Sequence, residues 1–366
     1  MEISIIGLPA SGKTTIFNAL TKFTAESKPH TGIGLTANLA VARVPDERLT
    51  GLSNIYKPKK TTPAEIKYVD IGGLSKGFGK EHGVSGQFLN LLSTADAILQ
   101  VVRAFENDNV AHPEGGIDPL RDIETIDMEL IFSDLLILEK RLHKIESSLK
   151  TGKTAERDMS IKESQLLSKI KQSLDKGIPI RLLQLNEEEQ RSISNYQFLT
   201  AKPMLIVINI GERQLPLYGE TLEKLKTACA RPQVELISMC GQLEMELVQL
   251  SESEAGEFRK DIGLKETAFD AVIKHSYALL GLISFFTVGD DEVRAWTVHS
   301  GTPAVKAAGK IHTDMEKGFI RAEVINYRDF IKYGGLAEAR KHGELRMEGK
   351  TYVVQDGDIF HVLFNI

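Results

Sequence analysis

Apolar positions follow two alternating rhythms along this chain. Glu2 to Ile6 is a short apolar run that stops at Gly7, and from Lys13 to Thr21 the residues Ile16, Phe17 and Leu20 recur at helical spacing. The opening therefore reads as strand, glycine loop, helix. Runs at Ala37–Val44, Glu65–Asp70, Ala97–Val102, Met204–Asn209 and Val234–Met239 look like further strands, with helical or loop material between most of them. Such alternation predicts an α/β domain on a mostly parallel sheet.

The middle of the chain changes period. Met128, Ile131, Leu135, Leu138, Leu142, Ile145 and Leu149 advance by threes and fours, a heptad seam with Glu, Lys and Arg on the other faces. Thr151-Gly152-Lys153 interrupts it, and a second stretch with Leu166, Leu167, Ile170 and Leu174 runs to the stop signal Gly177-Ile178-Pro179. The pair predicts an antiparallel coiled-coil hairpin inserted into the α/β domain. Asn186 and Glu189 have capping-box spacing for a short helix after it. Helices are expected from Glu244 and from Glu266 to about Leu282. Beyond Ile283 the texture is short strands, at Val293–Val298, Ile320–Ile325, Thr351–Val354 and Phe360–Phe364. The expected division is an α/β domain over 1–125 and 199–278, a helical insertion over 126–198, and a small β-rich domain over 279–366.

Composition narrows the setting. With 366 residues, 42% hydrophobic and 26% charged, the chain suits two or three globular domains and neither a disordered polymer nor a fibre. Two cysteines, Cys229 and Cys240, are too few for a disulfide scaffold and fit a reducing compartment. The N-terminal run lacks a basic flank and a long apolar core, and no apolar run reaches the ~18 residues of a membrane span, so a cytoplasmic protein is expected. A net charge of −5 argues against a generally basic nucleic-acid binder while leaving room for a local patch.

Chemistry enters at the first loop. Gly7-Leu8-Pro9-Ala10-Ser11-Gly12-Lys13-Thr14 fits G-x-x-x-x-G-K-[ST] between a predicted strand and a helix. Its glycines let backbone N–H groups face phosphate oxygens, Lys13 adds a fixed positive charge, and the Thr14 hydroxyl can serve Mg²⁺. This motif alone does not separate kinases, motors and switch NTPases. Asp70-Ile71-Gly72-Gly73 adds D-x-x-G after a strand, with Asp70 on the metal side and Gly73 as a backbone donor to the γ-phosphate. The same residues also suit a plain turn. Leu205 to Ile208 then lead into Asn209-Ile210-Gly211-Glu212, N-x-x-E where a guanine-specific site has N-K-x-D. Without that Asp, the acceptor for the guanine N1–H and exocyclic amine is missing, which removes the preference for guanine. Asn209 can still meet a base edge. The expected nucleotide set is Gly7, Pro9, Ala10, Ser11, Gly12, Lys13, Thr14, Thr15, Gly73, Asn209, Glu212, Cys240 and Gly241, with Thr14, Asp70 and Thr36 toward Mg²⁺.

GLPASGKTTIFNALT, VDIGGLSKGFGKEHGVSGQFLN, RAFENDNVAH, NIGE and the run EVRAWTV to AAGKIHTDMEKGFIRAEVINYRDFI resemble the YchF / Obg-like ATPase family of translation-factor-related P-loop NTPases. The resemblance spans nearly the whole chain and is densest from Glu292 to Asp329. It implies a nucleotide domain, a coiled-coil insertion and a C-terminal TGS domain of β-grasp type. It also implies a preference for ATP, slow hydrolysis and association with ribosomes. Lys306, Lys310, Lys317 and Arg321 make RNA contact through the TGS domain worth testing, and the hairpin offers a second partner surface, although a solvated face explains both. Trp296 reads as core.

Where switch GTPases carry a water-orienting Gln after D-x-x-G, this chain has Leu74. The resemblance points instead to His112, on a loop where the family carries a His proposed to act in hydrolysis; His82, in the Gly77–Gly86 stretch, is the alternative. Two departures stand out. Ala10 replaces the Asn with which relatives help bind potassium, and Gly34 aligns with the first-switch Thr, leaving Thr36 as a substitute. Turnover is expected on the unaided switch scale of ~10⁻⁴–10⁻² s⁻¹. The leading reading is a slow Mg²⁺-dependent ATPase that switches binding to the ribosome or a translation complex. Its alternatives are a nucleotide-gated binding module with vestigial hydrolysis, or a GTPase; a small-molecule phosphotransferase lacks an evident acceptor pocket.

Overall fold

The computed structural model describes residues 1–23, 27–32, 35–71, 86–149, 154–215, 218–262 and 266–365. Its strands are β1 (Glu2–Ile6), β2 (Ser27–Gly32), β3 (Leu35–Arg43), β4 (Lys60–Thr62), β5 (Glu65–Asp70), β6 (Ala97–Arg103), β7 (Met204–Asn209), β8 (Val234–Met239), β9 (Leu282–Thr287), β10 (Glu292–His299), β11 (Phe319–Asn326), β12 (Arg346–Glu348) and β13 (Asp358–Phe364). They form a seven-stranded sheet, ordered β2-β3-β5-β1-β6-β7-β8, and a six-stranded sheet, ordered β12-β11-β13-β9-β10-β4. Expectation and structure coincide at β1, β5, β7 and β8.

In the larger sheet β5, β1, β6, β7 and β8 run parallel. Every residue of β6 and β7 is buried, as strands covered on both faces require. β1 lies between β5 and β6, so successive connections leave it in opposite directions. That reversal opens a crevice at the carboxyl ends of the strands, where α/β sheets receive ligands.

The helix Pro119–Leu149 serves two cores. Ile123, Ile126 and Leu130 pack on the sheet, while Ile131, Leu138 and Ile145 join Leu167, Ile170 and Leu174 of the helix Thr154–Leu174. The expected hairpin thus begins inside a continuous helix. Met128, expected in the seam, is 41% exposed, because Asp127, Glu129 and Leu130 take the buried positions there. At the junction Asp127 pairs with Arg181 and, at 3.2 Å, with Arg231. The Asn186 capping box forms as expected.

Two compact units emerge: Met1–Val41 with Lys67–Phe269, and Ala42–Ile66 with Asp270–Ile366. The second recruits a segment expected in the first domain. β4 pairs in parallel with β10, Tyr56 stacks on Phe330 at 5.9 Å, and Arg48 bonds Asp356 at 2.7 Å. Within that unit a β9–β10 hairpin, the helix Ala304–Ile311 and a parallel β13–β9 pairing give a β-grasp layout. Thr351–Val354 is not a strand. Val353 makes a single bridge to Pro303, and the Asp358 carboxylate accepts from Gln355 N–H and the Tyr352 hydroxyl, folding the segment into a turn. The edge strand is β12 instead. Trp296 is half-buried beside Phe285, its indole N–H donating to Thr287, which supports the core reading.

Candidate functional site

The loop after β1 is shaped by close approaches. A Cβ on Gly7 would lie 2.6 Å from the Val101 carbonyl, and one on Gly12 would lie 2.1 Å from Asn209 Nδ2. Gly12 also has φ +86°, a left-handed conformation that costs glycine nothing. Ala10 is left-handed too, at φ +62°, and there a side chain bears the strain. The helix Lys13–Phe23 starts directly behind, so its N-terminal N–H groups face the loop mouth, where Pro9, Ala10 and Thr14 are exposed.

Lys13 and Asp70 meet in an ion pair with both side chains buried. Register explains the encounter: Ile5 of β1 stands opposite Asp70, the last residue of β5, placing the carboxylate beside the loop that follows β1. An exposed Thr14 hydroxyl and the Asp70 carboxylate are hard oxygen donors of the kind Mg²⁺ takes. Their fit to that ion therefore rests on donor chemistry and on the convergence of β1 and β5. Thr36 lies in β3 opposite Thr31, its side chain outside the described residues, as are Gly34, Gly73, Leu74 and His82.

Asn209, buried at the end of β7, has a task the sequence did not indicate. Its Nδ2 donates to the Ser11 carbonyl at 3.0 Å and its Oδ1 accepts from Gly241 N–H at 3.0 Å. One amide thus ties the phosphate loop to the turn after β8, bringing Cys240 and Gly241 to the site. Burial pushes the Cys240 thiol up, keeping it neutral. Glu212 is exposed at the start of a short helical turn that Gln214 secures, accepting from Gly211 N–H at 2.6 Å and donating to the Ala104 carbonyl at 3.0 Å.

His112 lines a small recess with Leu8, Pro9 and Ser11, adjoining the phosphate loop. Its imidazole is buried. Nδ1 accepts from Glu114 N–H at 3.1 Å, so Nε2 carries the proton and donates to Asp122 at 2.9 Å. Two arginines shape this loop. Arg103 donates to the Phe105 and Val110 carbonyls, and Arg121 to those of Glu114 and Gly116 and to Asp122. Sequence reasoning passed over Asp122, Arg103 and Gln214. An Asp in the first turn of a helix reads as ordinary end chemistry, and the carbonyls that an Arg binds leave no pattern in a sequence.

A loop of this build, seated where the strand order reverses, defines a P-loop nucleotide-binding protein. Comparison with known proteins refines the class. A 50S ribosome-binding GTPase model matches residues 2–139, and a YchF-GTPase C-terminal model, described as a protein of unknown function (DUF933), matches 282–365. Ribosome-binding ATPase YchF of Bacillus subtilis (strain 168) is 41% identical over 368 residues, covering all of both chains. Its Haemophilus influenzae counterpart is 42% identical, covering 100% of this chain and 99% of its own. The structure of the Schizosaccharomyces pombe YchF GTPase superposes with a TM-score of 0.86 at 35% identity, over 99% of this chain and 97% of that one. A GTP-binding protein from Pyrococcus horikoshii OT3 shares the fold, at TM-score 0.59 and 21% identity over the whole of both chains. The chain belongs to the YchF family. No helix among the described residues is long and apolar enough to cross a membrane.

Proposed function

We propose that this protein is a slow, Mg²⁺-dependent ATPase whose nucleotide state governs binding to the ribosome in the cytoplasm. The observation that carries the reading is the convergence of Lys13, Asp70 and Asn209 on one glycine loop at the sheet's crevice. It is supported by relatives named ribosome-binding ATPases across the full length of the chain.

Lys13 must leave Asp70 to meet the β- and γ-phosphates, and the freed carboxylate then faces the metal side with Thr14. Thr14 and Asp70 would hold Mg²⁺ there, and the ion would supply positive charge against the phosphate oxygens. The loop and helix N–H groups hold the phosphates, and Asn209 keeps that loop in register with the base side. On the base side Glu212 stands where guanine recognition has an Asp, a departure that supports loss of the guanine preference and hence use of ATP. The solved relative described as a GTPase makes GTP the reading to test against. In hydrolysis the water oxygen bonds to the γ-phosphorus, and the bond to the β–γ bridging oxygen breaks with its electron pair staying on ADP. The water's proton passes by way of His112 to the released phosphate.

Titrating purified protein with ATP and GTP tests the base preference: tighter ATP binding is expected, and a clear GTP preference overturns the claim. Lys13→Ala should abolish turnover. Wild-type turnover no faster than that variant's would favour the binding module with vestigial hydrolysis.

A further inference from the structure

We infer that Asp122 is the positioning residue for His112 in hydrolysis, holding the imidazole by Nε2–H so that Nδ1 is the lone pair offered to the attacking water. The inference rests on the reading of His112 given above. Three observations carry it. Asp122 is 2% exposed and splits its carboxylate oxygens: Oδ2 accepts from His112 Nε2 at 2.9 Å, and Oδ1 accepts from Arg121 Nη2 at 2.8 Å and Nε at 3.1 Å. The Glu114 amide donates to Nδ1 at 3.1 Å, marking that nitrogen as the acceptor and taking the place a water O–H would occupy. Leu8, Pro9 and Ser11 of the phosphate loop line the same recess as His112 and Asp122, which places the imidazole beside that loop.

Arg121 also makes the arrangement testable. With Asn at 122, the amide oxygen stays on the guanidinium and the NH₂ faces His112 Nε2, since an oxygen is the only group there that can accept from Arg121. Nε2 must then accept and the proton moves to Nδ1, where it opposes Glu114 N–H and can no longer take a water hydrogen. An orienting Asp replaced by Asn acts through the wrong tautomer in the same way in the serine-protease triad.

The experiment compares ATP turnover and ATP affinity for wild type, His112→Ala, Asp122→Asn, the double variant and Asp122→Glu. It also reads the imidazole tautomer from ¹⁵N shifts of labelled wild type and Asp122→Asn. Turnover should fall ~10²-fold in His112→Ala and in Asp122→Asn. ATP affinity should hold within about threefold, a spread below the tenfold that 1.4 kcal/mol represents. The double variant should be no slower than either single one, Asp122→Glu should recover part of the rate, and the tautomer should change from Nε2–H to Nδ1–H in Asp122→Asn. Wild-type turnover in Asp122→Asn, or losses that multiply in the double variant, would overturn the inference alone. Full turnover in His112→Ala would sink the reading of His112 and this inference with it. Should Asp122→Asn fail to fold, an Nδ1–H tautomer in wild type or no recovered rate in Asp122→Glu overturns it.

Discussion

At the scale of single residues, the phosphate loop contains one conformational conflict. Ala10 has φ +62°, a region that Asn visits far more readily than Ala. Ala10→Asn should therefore raise unfolding stability by roughly 0.5–1 kcal/mol, visible as a higher denaturant midpoint at unchanged slope. It would also supply the oxygen with which, by family resemblance, relatives help bind potassium. Wild-type turnover should be equal in potassium and sodium, and the variant's higher in potassium; a potassium-stimulated wild type would contradict this. The sequence reveals the loop because phosphate chemistry fixes residue types at fixed spacing. It does not reveal that Ala10 is strained, because φ belongs to the folded backbone, or that Asn209 clasps Ser11, because that contact spans 198 positions.

At the scale of elements, the helix Pro119–Leu149 joins sheet and hairpin through a buried acid. Asp134 accepts from the N–H groups of Leu199 and Thr200 and from the Thr200 hydroxyl, yet burial outweighs these bonds and pushes its carboxyl from the ordinary 3.8 up to about 6. A raised carboxyl pKa means the folded state holds its proton more tightly than the unfolded chain does. The stability gained is complete below about pH 4 and is lost as pH rises through about 6. Wild type should therefore lose on the order of 2 kcal/mol relative to Asp134→Asn between pH 4 and pH 7. Paired denaturation curves across that range check it, and a constant gap between the two proteins would refute it. The heptad pattern made the hairpin legible because a 3.5-residue period survives in sequence. The recruitment of 42–66 into the second unit did not, since β4 has three residues and their partners in β10 lie 232 positions away.

For the molecule as a whole, a net charge of −5 means that ribosome contact must come from local cations rather than from the mean field. The β-grasp unit supplies candidates: Lys310, Lys317 and Arg321 are exposed, whereas Lys306 is engaged with Glu316 at 2.6 Å. If these three side chains contact RNA phosphates, their joint replacement by Glu should weaken co-sedimentation with ribosomes and reduce the salt dependence of log K by about one for each lost contact. Intrinsic ATP turnover should not change, because none of the three belongs to the nucleotide site. The exposed polar faces of the hairpin are the competing surface. Unchanged sedimentation in the triple variant would move the contact there, while a parallel loss of turnover would point to damage of the fold. Repeating the titration with Lys13→Ala separates gating from docking: a protein that switches should lose its ATP-dependent change in ribosome affinity but keep the salt-dependent part.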